Sequence, residues 1–180
     1  GTGSMTTSGY PRVAKLWKRG TPMSAASLVY EGKPEDMYIA AMHDDTPGFE
    51  RNLVSRTLAF YNNEIYLRGD DGKLTRIDAP NSAEQGLHKP WLTLNHLVLN
   101  VLDDVKNRLS VLTPTAKGWQ KSDFVGAPAF GTLGVSAVDS NDSDAVWLTA
   151  TDYLTPTTLA IADIGKAPEV LKTMPAFFDA

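Results

Sequence analysis

The sequence predicts an all-β, antiparallel chain assembled from repeated strand–turn–strand units, and three observations support that prediction. The first is a weak internal repeat: IYLRGDDGKLTRID from Ile65, LVLNVLDDVKNRLSVL from Leu97 and VWLTATDYLTPTTLAIAD from Val146. Each copy opens on strand-forming residues, turns on a tetrad containing Asp, and returns on alternating apolar positions. Repetition over tens of residues points to blades or solenoid units rather than one mixed core. The second is punctuation: 11 prolines and 14 glycines interrupt the 180 residues too often to leave many windows for an amphipathic helix. The third is rhythm, since short apolar runs alternate with turn clusters every ~8–12 residues, the pattern of a sandwich, barrel or propeller.

Taken in order, Arg12 to Trp17 alternates as a strand and Lys18 to Pro22 turns it. Ala26 to Tyr30 returns, and Met37 to Met42 is a further run stopped by His43-Asp44-Asp45-Thr46-Pro47-Gly48. Leu53–Tyr61 and Glu64–Arg68 flank Asn62-Asn63, which has the chemistry of a two-residue hairpin turn. Asp71-Gly72 marks the hairpin from Ile65–Arg68 into Leu74–Asp78. Farther on come Val135–Val138, a turn over Asp139–Asp144, Val146–Ala150 and Thr158–Ala162. Glu169 to Met174 fits one helical turn or a final strand equally well. Trp91 to Leu102 runs 12 residues without a turn, and its alternation slips between Leu94 and Leu97. A one-residue slip reverses the faces, so this run is either a bulged strand or two strands joined. The repeat copies also start 32 and then 49 residues apart, whereas a blade takes about 40–50. The shorter interval implies residues missing near 94–96.

Composition excludes several classes. A formal net charge of −4 with scattered basic residues does not supply a nucleic-acid footprint, and Lys15, Lys18 and Arg19 read as a solvated turn. Without cysteine there is no disulfide framework and no thiolate nucleophile or ligand. No apolar run approaches the roughly 18 residues of a membrane span. Residues 1–5 (Gly-Thr-Gly-Ser-Met) read as an expression-tag remnant and 6–180 as one partial domain. Localisation stays open between cytoplasm and periplasm.

No constellation in the chain specifies catalysis, a cofactor or a metal. His43-Asp44-Asp45, with Glu50 nearby, is the densest polar cluster, but no HxH or HxxxH pair accompanies it, and turn bonding accounts for it. Asp70-Asp71 and Asp103-Asp104 sit at hairpin tips, where adjacent carboxylates cannot face each other for acid–base work. Neither Asp70-Asp71-Gly72 nor Asp139–Asp144 has the spacing of a calcium loop. Gly134-Val135-Ser136-Ala137 lacks the second glycine of a nucleophile elbow. Asn141-Asp142-Ser143 matches a glycosylation acceptor by composition alone. Trp17, Trp91, Trp119 and Trp147 read as core, and Phe177-Phe178 as an apolar pair for an interface.

Five longer segments have a specific likeness: GYPRVAKLWKRGTP (Gly9–Pro22), HDDTPGFERNLVSRTLAFYNNEIYL (His43–Leu67), NHLVLNVLDDVKNRLSVLTP (Asn95–Pro114), SDAVWLTATDYLTPTTL (Ser143–Leu159) and PEVLKTMPAFFDA (Pro168–Ala180). Together they resemble the β-propeller domain of the prolyl oligopeptidase family of serine peptidases. That resemblance implies antiparallel four-stranded blades of a partial β-propeller, about four blades' worth of chain. It implies a non-catalytic, substrate-gating role beside a C-terminal α/β-hydrolase domain that carries a Ser, Asp and His triad, with peptides as substrate. The sequence departs from the family by stopping where the hydrolase domain would begin and by its shortening near Asn95. No catalytic residue therefore carries over, and the chain as given is expected to have no peptidase activity. An incomplete ring leaves strand edges open, so edge-strand homo-oligomers are a further expectation. The alternative is a stand-alone β-sheet binding module without enzymatic activity. A hydrolase in its own right is a third option.

Overall fold

The computed structural model describes residues 3–48, 50–78, 87–103, 106–129 and 131–176, with 87–91 and 103 described by backbone alone. Among the described residues, fourteen strands form three four-stranded sheets and one two-stranded ribbon, and the one helical element is a 3₁₀ turn at Met23–Ala25. The chain divides into two compact units, residues 1–45 with 50–85 and residues 46–49 with 86–180.

In the first unit, β1 (Val13–Leu16) and β2 (Ser27–Glu31) make the ribbon. Next come β3 (Tyr38–Asp44), β4 (Arg51–Ala59), β5 (Asn62–Arg68) and β6 (Leu74–Arg76), paired in chain order as an antiparallel meander. Leu53 and Val54 are adjacent on β4 and both buried, so this central strand is covered on both faces and loses its clean alternation. The turn from β5 to β6 spans Gly69–Lys73. Asp71 accepts the Lys73 N–H through Oδ1 at 2.9 Å, and Gly72 takes φ +81°, the conformation glycine supplies without strain.

The second unit holds two more meanders. One is β7 (Leu87–Leu92), β8 (Leu97–Asp103), β9 (Lys106–Thr115) and β10 (Gly118–Asp123). The other is β11 (Thr132–Ala137), β12 (Ala145–Thr151), β13 (Thr158–Asp163) and β14 (Glu169–Thr173). Their facing sides interdigitate in one apolar cluster that includes Val98, Leu109 and Val111 from the first sheet and Val135, Val146 and Leu148 from the second. Each such side chain contributes about 1.5–3 kcal/mol when fully buried. Four-stranded antiparallel meanders repeated along a chain are the blades of a β-propeller, as the sequence predicts.

The repeat is real but out of phase. The copies from Leu97 and Val146 are the middle hairpins of their sheets, β8–β9 and β12–β13, whereas the copy from Ile65 is the closing hairpin β5–β6. Equivalent second strands begin at Arg51, Leu97 and Ala145, intervals of 46 and 48 residues. Once the copies are brought into phase, the uneven spacing that implied missing residues disappears. The run Trp91–Leu102 is two strands joined by the turn Thr93–His96, with Leu92 opposite Leu97. Thr93 closes that turn by donating N–H to the His96 carbonyl at 2.9 Å.

Two further readings are corrected or resolved. The β4–β5 hairpin turns on Phe60-Tyr61, not on Asn62-Asn63. Asn63 is buried and directs Nδ2 to the Ser55 hydroxyl, so cross-strand packing outweighs the turn propensity of the Asn pair. Glu169 to Thr173 is a strand, interrupted by a register shift opposite Leu159 and Ala160.

Candidate functional site

The sequence-predicted polar positions scatter rather than converge. His43 lies at the end of β3, with Nδ1 3.0 Å from Asn52 Oδ1 on the neighbouring strand. Asp44 points to the opposite face, is buried, and pairs with Arg51 Nε at 3.0 Å. Asp45 and Glu50 are exposed. Among the described residues no group of three or more His, Asp and Glu side chains could hold a metal ion. Asp139 forms an Asx turn, accepting the Asn141 N–H at 2.9 Å. Asp104 and Phe177-Phe178 lie outside the described residues, as do the side chains of Asp103 and Trp91.

The tryptophans depart from the core reading. Trp17 is 44% exposed and donates Nε1–H to the Thr21 carbonyl at 2.9 Å, so it braces the turn after β1. Trp147 is exposed too, because it faces away from the apolar cluster that its neighbours Val146 and Leu148 join. Trp119 is half-buried on β10.

Two polar constellations stand out in the structure. Arg56 on β4, Glu64 on β5 and Arg76 on β6, with Asp36 from the turn before β3 and Asp78 just after β6, form a ladder of alternating sign. Arg56 grips Asp36 in a fork, Nη2 to Oδ1 at 2.7 Å and Nε to Oδ2 at 3.2 Å, and reaches Glu64 at 3.3 Å. Arg76 forks onto Asp78 at 3.0 and 3.1 Å and meets Glu64 at 3.4 Å, while Tyr66 donates its hydroxyl to Glu64 at 2.7 Å. Asp36 and Asp78 are almost wholly buried. Burial works to raise the Asp36 carboxyl, but hydrogen bonds from Arg56 and from the Lys33 N–H, with the charge of both cations, hold it below its ordinary value. Arg56 is held more firmly charged, first by its bond to Asp36. Burial, then the Glu64 hydrogen bond, push the Tyr66 phenol up, so it remains protonated. Both guanidinium groups are committed to carboxylates, which makes the ladder a fastening between strands rather than a receptor for an anion.

In the second unit, Thr113, His96 and Asp144 follow the order hydroxyl, imidazole, carboxylate. His96 Nδ1 lies 3.0 Å from Thr113 Oγ1, but Nε2 is 4.0 Å from Asp144 Oδ2, beyond a hydrogen bond. The carboxylate is occupied elsewhere. Thr93 Oγ1 and the Asn95 N–H donate to Oδ1 at 2.8 and 2.7 Å, and Asn95 Nδ2 to Oδ2 at 2.6 Å. Burial opposes ionisation of Asp144, yet the Asn95 and Thr93 bonds and the nearby His96 bring its pKa below the ordinary value. This cluster ties the β7–β8 turn to the β11–β12 turn and has no base aligned on a nucleophile. Beside it, Asn107 Oδ1 accepts the Leu133 N–H at 3.1 Å and Asn100 Nδ2 donates to the Leu133 carbonyl at 2.8 Å, with Asn107 Nδ2 bonded to Asn100 Oδ1 at 2.8 Å. The signal for this lock is present in the sequence as a single Asn inside the apolar run LVLNVL.

No protein-family model and no curated protein matches the chain. Solved structures do. A post-proline cleaving enzyme from Rickettsia typhi is 15% identical with a TM-score of 0.55, over 99% of this chain and 35% of that one. A prolyl endopeptidase from a study of two such enzymes is 14% identical with a TM-score of 0.48, over 98% of this chain and 33% of that one. The repeated four-stranded meanders together with the first of these likenesses make the fold propeller-like. This chain spans about a third of the length of the solved chains it matches.

Proposed function

We propose that the chain is the propeller portion of a serine peptidase of the prolyl oligopeptidase type, and that it controls which substrates reach a catalytic domain rather than cutting them. The supporting observation is that 99% of the chain aligns with a third of a post-proline cleaving enzyme. The four-stranded meanders and the sequence likeness of five segments agree with it. In this reading, rigid blades fastened by buried polar locks admit short peptides and exclude folded proteins. The partners are an α/β-hydrolase domain and a peptide substrate.

The test uses the protein encoded by the complete reading frame. It is labelled with a fluorophosphonate probe, the modified residue is mapped by mass spectrometry, and turnover of a short proline-containing peptide is compared with that of a folded protein. The expected result is a labelled serine outside residues 5–180, with cleavage confined to the short peptide. A labelled serine within 5–180, or neither label nor cleavage, overturns the proposal.

A further inference from the structure

The end of the β1–β2 ribbon at which the chain turns is unusually apolar for a hairpin in water. Leu16 is 67% and Met23 75% exposed, and with Trp17 they place three large apolar side chains at that end. Leu28, exposed as well, lies directly opposite Lys15 on the neighbouring strand. Single exposed apolar residues are ordinary, but a group of them at one tip marks a contact surface.

The charge at the tip is equally one-sided. Lys18 and Arg19 lie in the turn and Lys15 just before Leu16; all three are exposed, and none forms an ion pair among the described residues. Residues 1–30 contain no Asp or Glu, although the whole chain has a net charge of −4. The turn is also preorganised. Gly20 takes φ +85°, and Thr21 donates its N–H and its hydroxyl to the Lys18 carbonyl at 3.2 and 2.7 Å. Trp17 Nε1–H occupies the Thr21 carbonyl at 2.9 Å, and the Pro22 and Met23 carbonyls accept from Ala25 and Ala26. These local bonds lower the cost of moving the tip's backbone out of water.

We propose that this tip binds the surface of a bilayer carrying anionic lipids, at headgroup depth. Lys15, Lys18 and Arg19 take the lipid phosphates, while Leu16, Trp17 and Met23 reach the edge of the acyl layer. Interfacial segments combine cations with Trp and aliphatic side chains in this way. Two other polyanions fit less well. A nucleic-acid site pairs cations with stacking aromatics and has no use for Leu16 and Met23. An acidic protein would have to be held by a tip of a few residues, against the roughly 20–30 a side of a standard interface. The inference does not depend on the peptidase reading, and its assay involves no cleavage.

The experiment is co-sedimentation of the full chain with vesicles of phosphatidylcholine, alone or with about one-third phosphatidylglycerol. Anionic vesicles should bind about 100-fold more tightly than neutral ones, since each of three cations near the surface contributes about fivefold, and the advantage should shrink as salt is raised. Lys18→Gln combined with Arg19→Gln should weaken binding about 25-fold. Met23→Ser should weaken it about fivefold. Melting temperatures should not change, because these side chains are exposed. Tryptophan emission should move to shorter wavelength with anionic vesicles, and the Trp17→Phe variant should lose that shift. Equal binding to the two vesicles, Met23→Ser binding like wild type, a shift that survives Trp17→Phe, or a short DNA duplex that competes as well as anionic vesicles would overturn the proposal.

Discussion

Replacing Asp144 by Ala should open the seam between the two sheets of the second unit. The carboxylate takes three hydrogen bonds, from Thr93 Oγ1, the Asn95 N–H and Asn95 Nδ2, at 2.8, 2.7 and 2.6 Å. A hydrogen bond to a charged group contributes about 1.5–3 kcal/mol. Asp144 is 23% exposed, so water replaces part of that on opening. A net loss of about 2–3 kcal/mol follows once this solvent access is allowed for. Asp144→Asn keeps an acceptor for Thr93 and the Asn95 N–H but loses the charge, and should cost about half as much. Hydrogen exchange of the Leu94 and Asn95 amides reads the seam locally, because Leu94 N–H donates to the Ser143 carbonyl at 3.0 Å and Asn95 N–H to Asp144. Protection there should fall about 30- to 150-fold in the Ala variant, the ratio that 2–3 kcal/mol implies. A change under about threefold, or Ala and Asn variants that behave alike, would refute the assignment of Asp144 as the fastening.

The other expectations concern stability. The Asp144 carboxyl has a lowered folded-state pKa, as has Asp36, so the stability each contributes is present above its unfolded value near 3.9 and lost as pH falls through the folded value. Urea midpoints should therefore be flat from about pH 7 to 5 and fall below about pH 4, with wild type and Asp144→Asn converging at the acid end. Asp36→Ala removes one member of a buried pair at 2.7 Å and should cost about 3 kcal/mol in urea unfolding, the low end for such pairs because Arg56 keeps Glu64. Gly131→Ala puts a Cβ 2.4 Å from the Thr151 carbonyl oxygen at φ +95° and should cost about 2 kcal/mol or more, whereas Tyr153→Ala, at a 98% exposed loop tip, should stay within about 0.5 kcal/mol.

Strand content was legible because period-2 alternation and turn chemistry are local. Asp71-Gly72 marked its hairpin, and Thr158–Ala162 marked β13 to within a residue. Blade phase was not legible. The β5–β6 and β8–β9 hairpins both read as apolar strand, acidic turn, apolar strand, and only the pairing partners of a hairpin reveal whether it is central or terminal in its sheet. The turn at Phe60-Tyr61 was missed for a related reason: Asn63 is needed as a buried strand residue, a demand invisible without its neighbour Ser55. The exposed Trp17 and Trp147 show the limit of reading aromatics as core, since burial belongs to a face and not to a residue type.

The two polar fastenings of the second unit answer a problem that blade packing creates. Apolar interdigitation fixes the distance between two sheets but is indifferent to sliding, and it leaves the terminal strand β11 with one unpaired edge. Asn100 and Asn107 take both backbone groups of Leu133 on that edge, and Asp144 takes the turn that enters the neighbouring sheet. Each side chain is specific to one residue of the adjoining element, so a slip of one position would strand several polar groups that the native register satisfies, at about 1–3 kcal/mol apiece. The apolar cluster thus supplies most of the stability, and the amides and the carboxylate supply the register. The gating role proposed above calls for that division of labour, because selectivity by a fixed aperture depends on register rather than on the strength of any one contact. The prediction for Asp144→Ala is accordingly a loosened seam before a lost fold.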